Sequence, residues 1–212
     1  MYKLTLLFSI SIIFLAGFTV EINDEIKGNQ RAFYECSNPI DRKLKRTNSH
    51  KLYFKINTKQ NAKNLKSKNF HLVKNNPEGY FIARLINNSN STVKARRQDG
   101  SLIMIQEALN ENGEWQPIEY WVHSGCGNSY FHPLILKPGQ YSIIPIKKYT
   151  GNFKTKIRLK LQIITTSTNT QNRVKNIYSK PFNGSIFKNQ FKKETKMVNG
   201  ILYNGPADYL GD

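Results

Sequence analysis

Cysteine is nearly missing from this chain: Cys36 and Cys126 are the only two in 212 residues, beside four histidines. That scarcity excludes a disulfide-dense scaffold and a four-cysteine zinc site. Acidic side chains are scarce as well, 14 against 32 Lys and Arg, which leaves a net charge of +18. No sustained helical period follows residue 20, so a helical bundle is excluded, and no internal repeat marks a solenoid. Long apolar runs are lacking too, apart from Leu4 to Val20, where Thr5, Ser9 and Ser11 are the only polar breaks before Thr19.

That one run follows Met1-Tyr2-Lys3, ends near Ala16-Gly17 and precedes Glu21, Asp24 and Glu25. It falls slightly under the roughly 20 apolar residues that span a bilayer and lacks stop-transfer charges, so residues 1–20 read as an export signal, with a retained anchor as the alternative. Membrane contact is expected only through this segment if it is uncleaved. The expected location is therefore the periplasm, cell surface or exterior. In such a compartment an even cysteine count reads as a Cys36–Cys126 disulfide, whose long loop is worth on the order of 4 kcal/mol in the chain-entropy account.

What the chain does have is alternation. Phe153 to Leu161 reads Phe-Lys-Thr-Lys-Ile-Arg-Leu-Lys-Leu. On a strand this puts Phe153, Thr155, Ile157, Leu159 and Leu161 on one face and Lys154, Lys156, Arg158 and Lys160 on the other. One face is core; the other is a cationic ladder open to water and a candidate anion-contact face. The same lysines also suit a solvated strand that resists edge-to-edge pairing.

Shorter alternations predict further strands over Leu52–Ile56, Tyr80–Ile86, Ser91–Arg97, Leu102–Leu109, Glu114–Val122, Phe131–Leu136, Tyr141–Ile146, Val174–Tyr178 and around Ile186. Turn residues separate them, among them Asp99-Gly100, Asn110 to Gly113, Lys137-Pro138-Gly139 and Asn183-Gly184. About 8–10 short strands at such spacing predict an all-β antiparallel sandwich, with a closed barrel as the main alternative because the same pattern serves both. Leu102-Ile103-Met104-Ile105 is apolar on both faces, which places that strand centrally. Thr58 to Asn69 has only Ala62 and Leu65 as apolar residues and reads as a mobile basic loop. The expected organisation is residues 1–20 as signal or anchor, 21–75 as an N-terminal extension with one strand, 76–192 as the sandwich core and 193–212 as a C-terminal tail.

Charge is distributed unevenly: residues 41–75 hold 11 basic and 1 acidic side chain, 76–136 hold 4 and 6, and 137–212 hold 14 and 3. Such flanks attract anionic partners, here an envelope polysaccharide or lipid head groups, with no specific nucleic acid expected. Trp121 and Tyr120 cannot both point inward on a regular strand, so one of the two is the candidate exposed aromatic contact. His123, Cys126 and His132 lie close in sequence but supply at most three ligands, so neither a metal site nor a cysteine nucleophile is expected. Glu107, Glu111, Glu114 and Glu119 cluster over the 101–122 hairpin. They suit cross-strand pairing with the ladder, or the acid and base of a carbohydrate-processing hydrolase.

Asp99-Gly100-Ser101-Leu102, Gly113-Glu114-Trp115, Pro117 to Trp121, Leu136 to Gly139 and Tyr149 to Phe153 together resemble immunoglobulin-like sandwich modules of uncharacterised exported bacterial proteins. The resemblance covers about half of the chain, from Tyr80 through Phe187, and implies fold and export; it transfers no functional residue. The functional expectation is a non-enzymatic, cofactor-free module that binds or organises something at the cell envelope. The alternatives are the hydrolase and a structural subunit of a secreted or surface assembly that donates an edge strand.

Overall fold

The computed structural model describes residues 38–39, 51–63, 65, 73, 75–119, 121, 124, 126–166, 172–191, 195–198 and 201–204. The signal segment, Cys36, Tyr120 and His123 lie outside the described residues. Among the described residues fifteen strands are formed: β1 (Asn38–Pro39), β2 (Leu52–Asn61), β3 (Tyr80–Asn87), β4 (Val93–Ala95), β5 (Arg97–Gln98), β6 (Ser101–Leu102), β7 (Met104–Leu109), β8 (Trp115–Pro117), β9 (Leu134–Leu136), β10 (Gln140–Lys147), β11 (Phe153–Thr166), β12 (Asn172–Tyr178), β13 (Phe182–Ile186), β14 (Thr195–Val198) and β15 (Ile201–Asn204). Every strand pairing is antiparallel.

The strands make a four-stranded sheet in the order β1-β10-β3-β2 and a seven-stranded sheet around β11. The strand count exceeds the expected one because β1, the β5–β6 pair and the β14–β15 pair are added to the expected strands; β11 is long enough to carry two partners on each edge. Its first half pairs with β7 and β13, and its second half with β4 and β12. Between β4 and β7 the chain makes a small excursion, the β5–β6 hairpin, whose Asp99-Gly100 tip has φ of 49° and 81° as a primed turn requires. β14 and β15 form a separate hairpin inside the expected tail.

The two sheets pack face to face. Phe54, Phe81, Ala83, Leu85, Ile144 and Ile146 of the small sheet meet Ala95, Met104, Leu136, Leu159, Leu161 and Ile163 of the large one in a single core. The inward half of the β11 alternation therefore does what its spacing predicts, and the all-β sandwich is the observed architecture. β2 pairs with β3 from Leu52 to Asn57 and again, after an irregularity, at Asn61, so it belongs to the sandwich rather than to an extension. The described part of the expected Thr58–Asn69 loop is different in the structure: β2 runs on to Asn61, and Ala62 and Leu65 pack with Val73 against Ile82 on the outside of the small sheet, while residues 64 and 66–69 lie outside the described residues. Two apolar residues are enough there because they close on a surface that β3 already presents.

Asn183-Gly184 also departs from expectation, lying within β13 instead of forming a turn. A Cβ on Gly184 would stand 2.4 Å from Ile157 Cδ1, so the glycine serves close packing of β13 on β11.

Candidate binding face and neighbouring cleft

The outward face of β11 divides into two halves. Lys154 and Lys156 are exposed, Arg158 is half-buried and Lys160 is 1% exposed. The expectation of four solvated cations is corrected at its upper end, and the cause is a cover. Residues Ile103 and Ile105 face outward beside Lys160 and pack with Trp121 and Tyr130 in a second apolar cluster, on the side of the large sheet away from the sandwich core. The two-faced apolar run seen in the sequence reports this cover.

Trp121 is 1% exposed, and its indole N–H donates to Gln98 Oε1 at 3.0 Å. It is a core residue, not the exposed aromatic contact; Tyr120, its alternative, lies outside the described residues. The returning strand is only Trp115–Pro117. After Ile118, whose N–H still donates to the Gln106 carbonyl, Trp121 is found in the cover; Tyr120 and Val122 lie outside the described residues.

The buried cations are neutralised by Glu107, directly across from Arg158 in the β7–β11 register. Arg158 Nε stands 2.6 Å from Glu107 Oε2, and Lys160 Nζ stands 3.5 Å from Glu107 Oε1. The Arg158 guanidinium is also held between two rings, 4.4 Å from the centroid of Trp115 and 4.1 Å from that of Tyr178. Tyr178 remains 38% exposed. This Trp-Arg-Tyr stack was not legible in the sequence, because its members come from β8, β11 and β12 and meet only through strand register.

Lys154 and Lys156 have no carboxylate partner among the described residues; Lys156 Nζ donates to Asn183 Oδ1 at 2.5 Å. The open half of the face therefore keeps its charge. The remaining hairpin carboxylates are dispersed. Glu111 pairs with Lys188 at 2.5 Å, and Glu114 accepts from Asn110 Nδ2 at 3.0 Å. Glu119 is buried on the inner side, where Oε2 accepts from the Gln106 backbone N–H at 2.7 Å and Oε1 from Gln106 Nε2 at 2.9 Å and the Tyr149 hydroxyl at 2.7 Å.

Burial pushes the Glu119 carboxyl above the ordinary value of 4.5, against the opposing pull of the Tyr149 and Gln106 hydrogen bonds and the nearby Lys147 charge. Burial, followed by the Glu119 charge, raises the Tyr80 phenol as well. A carboxyl raised on folding keeps its proton to higher pH in the native than in the unfolded chain. Its contribution to stability is complete below the unfolded value and is lost as pH rises through the native one. Urea unfolding of wild type and Glu119→Gln across about pH 4 to 8 is therefore expected to show wild type losing stability relative to the variant as pH rises. Parallel curves would contradict this assignment.

A cleft opens at the end of the sandwich where β10 and β13 approach. Its volume is about 310 Å³, and its walls include Lys147, Lys148, Lys154, Phe81, Ile157 and Phe182. Phe81 and Phe182 meet edge to face at 5.1 Å between centroids, and Lys147 Nζ lies 5.1 Å from the Tyr149 ring centroid. Gln106 also borders it; both hydrogens of its amide nitrogen are taken, by Glu119 and by the Lys147 carbonyl at 3.0 Å, and its amide oxygen has no protein partner.

Cys126 is an exposed free thiol in the structure, so the expected disulfide to Cys36 is not formed there. His132 is exposed, and no group of three or more potential metal ligands comes together among the described residues. No protein family, curated protein or solved structure matches this chain.

Proposed function

We propose that the chain is an exported, immunoglobulin-like binding module that holds an acidic polysaccharide of the bacterial cell envelope on the open half of the β11 face. The observation that carries this reading is the pair Lys154 and Lys156, exposed and without carboxylate partners among the described residues, beside the Trp115–Arg158–Tyr178 stack. Alternate residues on a strand repeat every 6.6–7 Å or so, which sets two ammonium groups along a line that an extended polyanion can follow. The partly exposed Tyr178 ring adds a surface on which a sugar can stack. Arg158 contributes through the ring stack while its charge is taken by Glu107. The uneven positive charge of the chain and the apolar segment near its start support an anionic partner met outside the cytoplasm.

Retention on a dextran sulfate matrix tests the reading. Wild type is expected to bind at low ionic strength and elute as salt screens the contact, with Lys154→Glu plus Lys156→Glu eluting at distinctly lower salt. Equal elution of the two proteins would remove the β11 face from the interaction.

A further inference from the structure

The cleft between β10 and β13 is built differently from the β11 face, and its chemistry asks for a different ligand. In a sandwich the space between sheets is filled by inward side chains. Here Phe81, Ile157 and Phe182 form apolar walls but leave about 310 Å³ empty. Gly184 adds no side chain to that space, because a Cβ would collide with Ile157.

Three lysines border these apolar walls, and no carboxylate lies among the described residues lining the cleft. The buried Glu119 carboxyl is hydrogen-bonded to Gln106 and Tyr149, two residues that line the cleft, and is not itself among the lining residues. A cation beside low-dielectric walls acts on an anion more strongly than one on an open surface, because less water screens it. An empty space of this size matches about ten water volumes, the lower limit of ligand pockets, and so admits one or two fused rings rather than a polymer.

We infer that this cleft is a binding site for a small amphiphilic anion, a compact ring or short hydrocarbon body carrying one carboxylate or sulfonate, with Lys147 and Lys148 holding the charged group and Phe81, Ile157 and Phe182 holding the body. The inference goes beyond the polysaccharide reading. Lys147 ends β10 in the small sheet and Lys148 follows it, whereas Lys156 is on the opposite side of the large sheet; only Lys154 borders both places.

Titration calorimetry of the whole chain with 2-naphthoate, its neutral isostere 2-naphthamide, and sodium sulfate tests the inference. The naphthoate is expected to bind saturably with one site per chain. The amide, which lacks the charge, and sulfate, which lacks the body, should each bind at least about tenfold more weakly. Lys147→Gln plus Lys148→Gln should weaken naphthoate binding about tenfold, and the exposed single change Lys148→Gln, which leaves the Lys147 contact with Tyr149 in place, should weaken it in the same direction with no change in thermal midpoint. The Lys154→Glu plus Lys156→Glu protein provides the separation. Loss of dextran sulfate retention with naphthoate binding preserved in part locates the two activities apart. Naphthamide binding as tight as naphthoate, no saturable naphthoate binding, or unchanged affinity in the Lys147/Lys148 variants would overturn the site.

Discussion

Glu107→Leu is expected to cost about 3–5 kcal/mol of folding stability, the range measured when one member of a buried ion pair is removed. Glu107 is the only carboxylate that reaches Arg158 and Lys160 among the described residues, and Lys160 is essentially closed to water. Leucine would fill the volume and remove the carboxylate that both cations face, at a place closed to water. The size of the effect thus comes largely from desolvated positive charge that loses this carboxylate. The double variant Glu107→Leu plus Lys160→Met distinguishes these origins. It should recover at least about 2 kcal/mol, because residues in one network couple by that order. Arg158 would still be stacked between Trp115 and Tyr178 and, with 21% of its side chain exposed, retains contact with solvent. Denaturant unfolding of the four proteins in the cycle gives the coupling directly; additive losses would show that Lys160 does not depend on Glu107.

Gly151→Ala is expected to be similarly disruptive for a steric reason. A Cβ at Gly151 would lie 1.9 Å from the carbonyl carbon of Ile186 and 2.1 Å from both its oxygen and the Phe187 nitrogen. All three are backbone atoms at the end of β13, next to the parallel bridge between Thr150 and Ser185, and Ile186 is fully buried. No flexible side chain can yield, so the β11–β13 seam must separate, at a cost of at least about 3 kcal/mol. Gly113→Ala gives the comparison. Gly113 has φ of 78° but open space around it, so alanine there meets only the backbone preference, about 1 kcal/mol. If the two variants unfold at the same denaturant concentration, the close approach at Gly151 is wrong.

The parts of the fold that were legible in sequence are those set by local period and turn chemistry. The inward residues of β11, the burial of Leu102–Ile105, and the Lys137–Gln140 and Asn110–Gly113 turns all lie where alternation and turn residues put them, although Leu102 falls in the β5–β6 hairpin rather than in a central strand. The failures share one physical cause: they depend on what a distant segment lays over a face. Lys160 has the same local spacing as Lys154, yet it is buried between Ile105 and Tyr178 of the flanking strands while Lys154 stands in water. Ala62 and Leu65 look too few to order a chain until Ile82 meets them. Gly184 reads as a turn residue because a close contact with Ile157 leaves no trace in local sequence. Of the candidate face, the cations were readable and the aromatic partners were not, since Trp115 and Tyr178 reach Arg158 only through β-sheet register. The cleft belongs to the same class, its lysines and phenylalanines coming from both sheets.

The central claim is that the open half of the β11 face, and not net charge alone, holds an anionic polymer. Its most direct measurement is the salt concentration that elutes two charge-matched double variants from dextran sulfate: Lys154→Glu plus Lys156→Glu, and Lys55→Glu plus Lys59→Glu on exposed positions of β2 in the other sheet. Both change the overall charge equally, so non-specific attraction falls by the same amount in each. The account predicts that the β11 variant elutes well before wild type while the β2 variant stays near it. Equal displacement of both variants would contradict it.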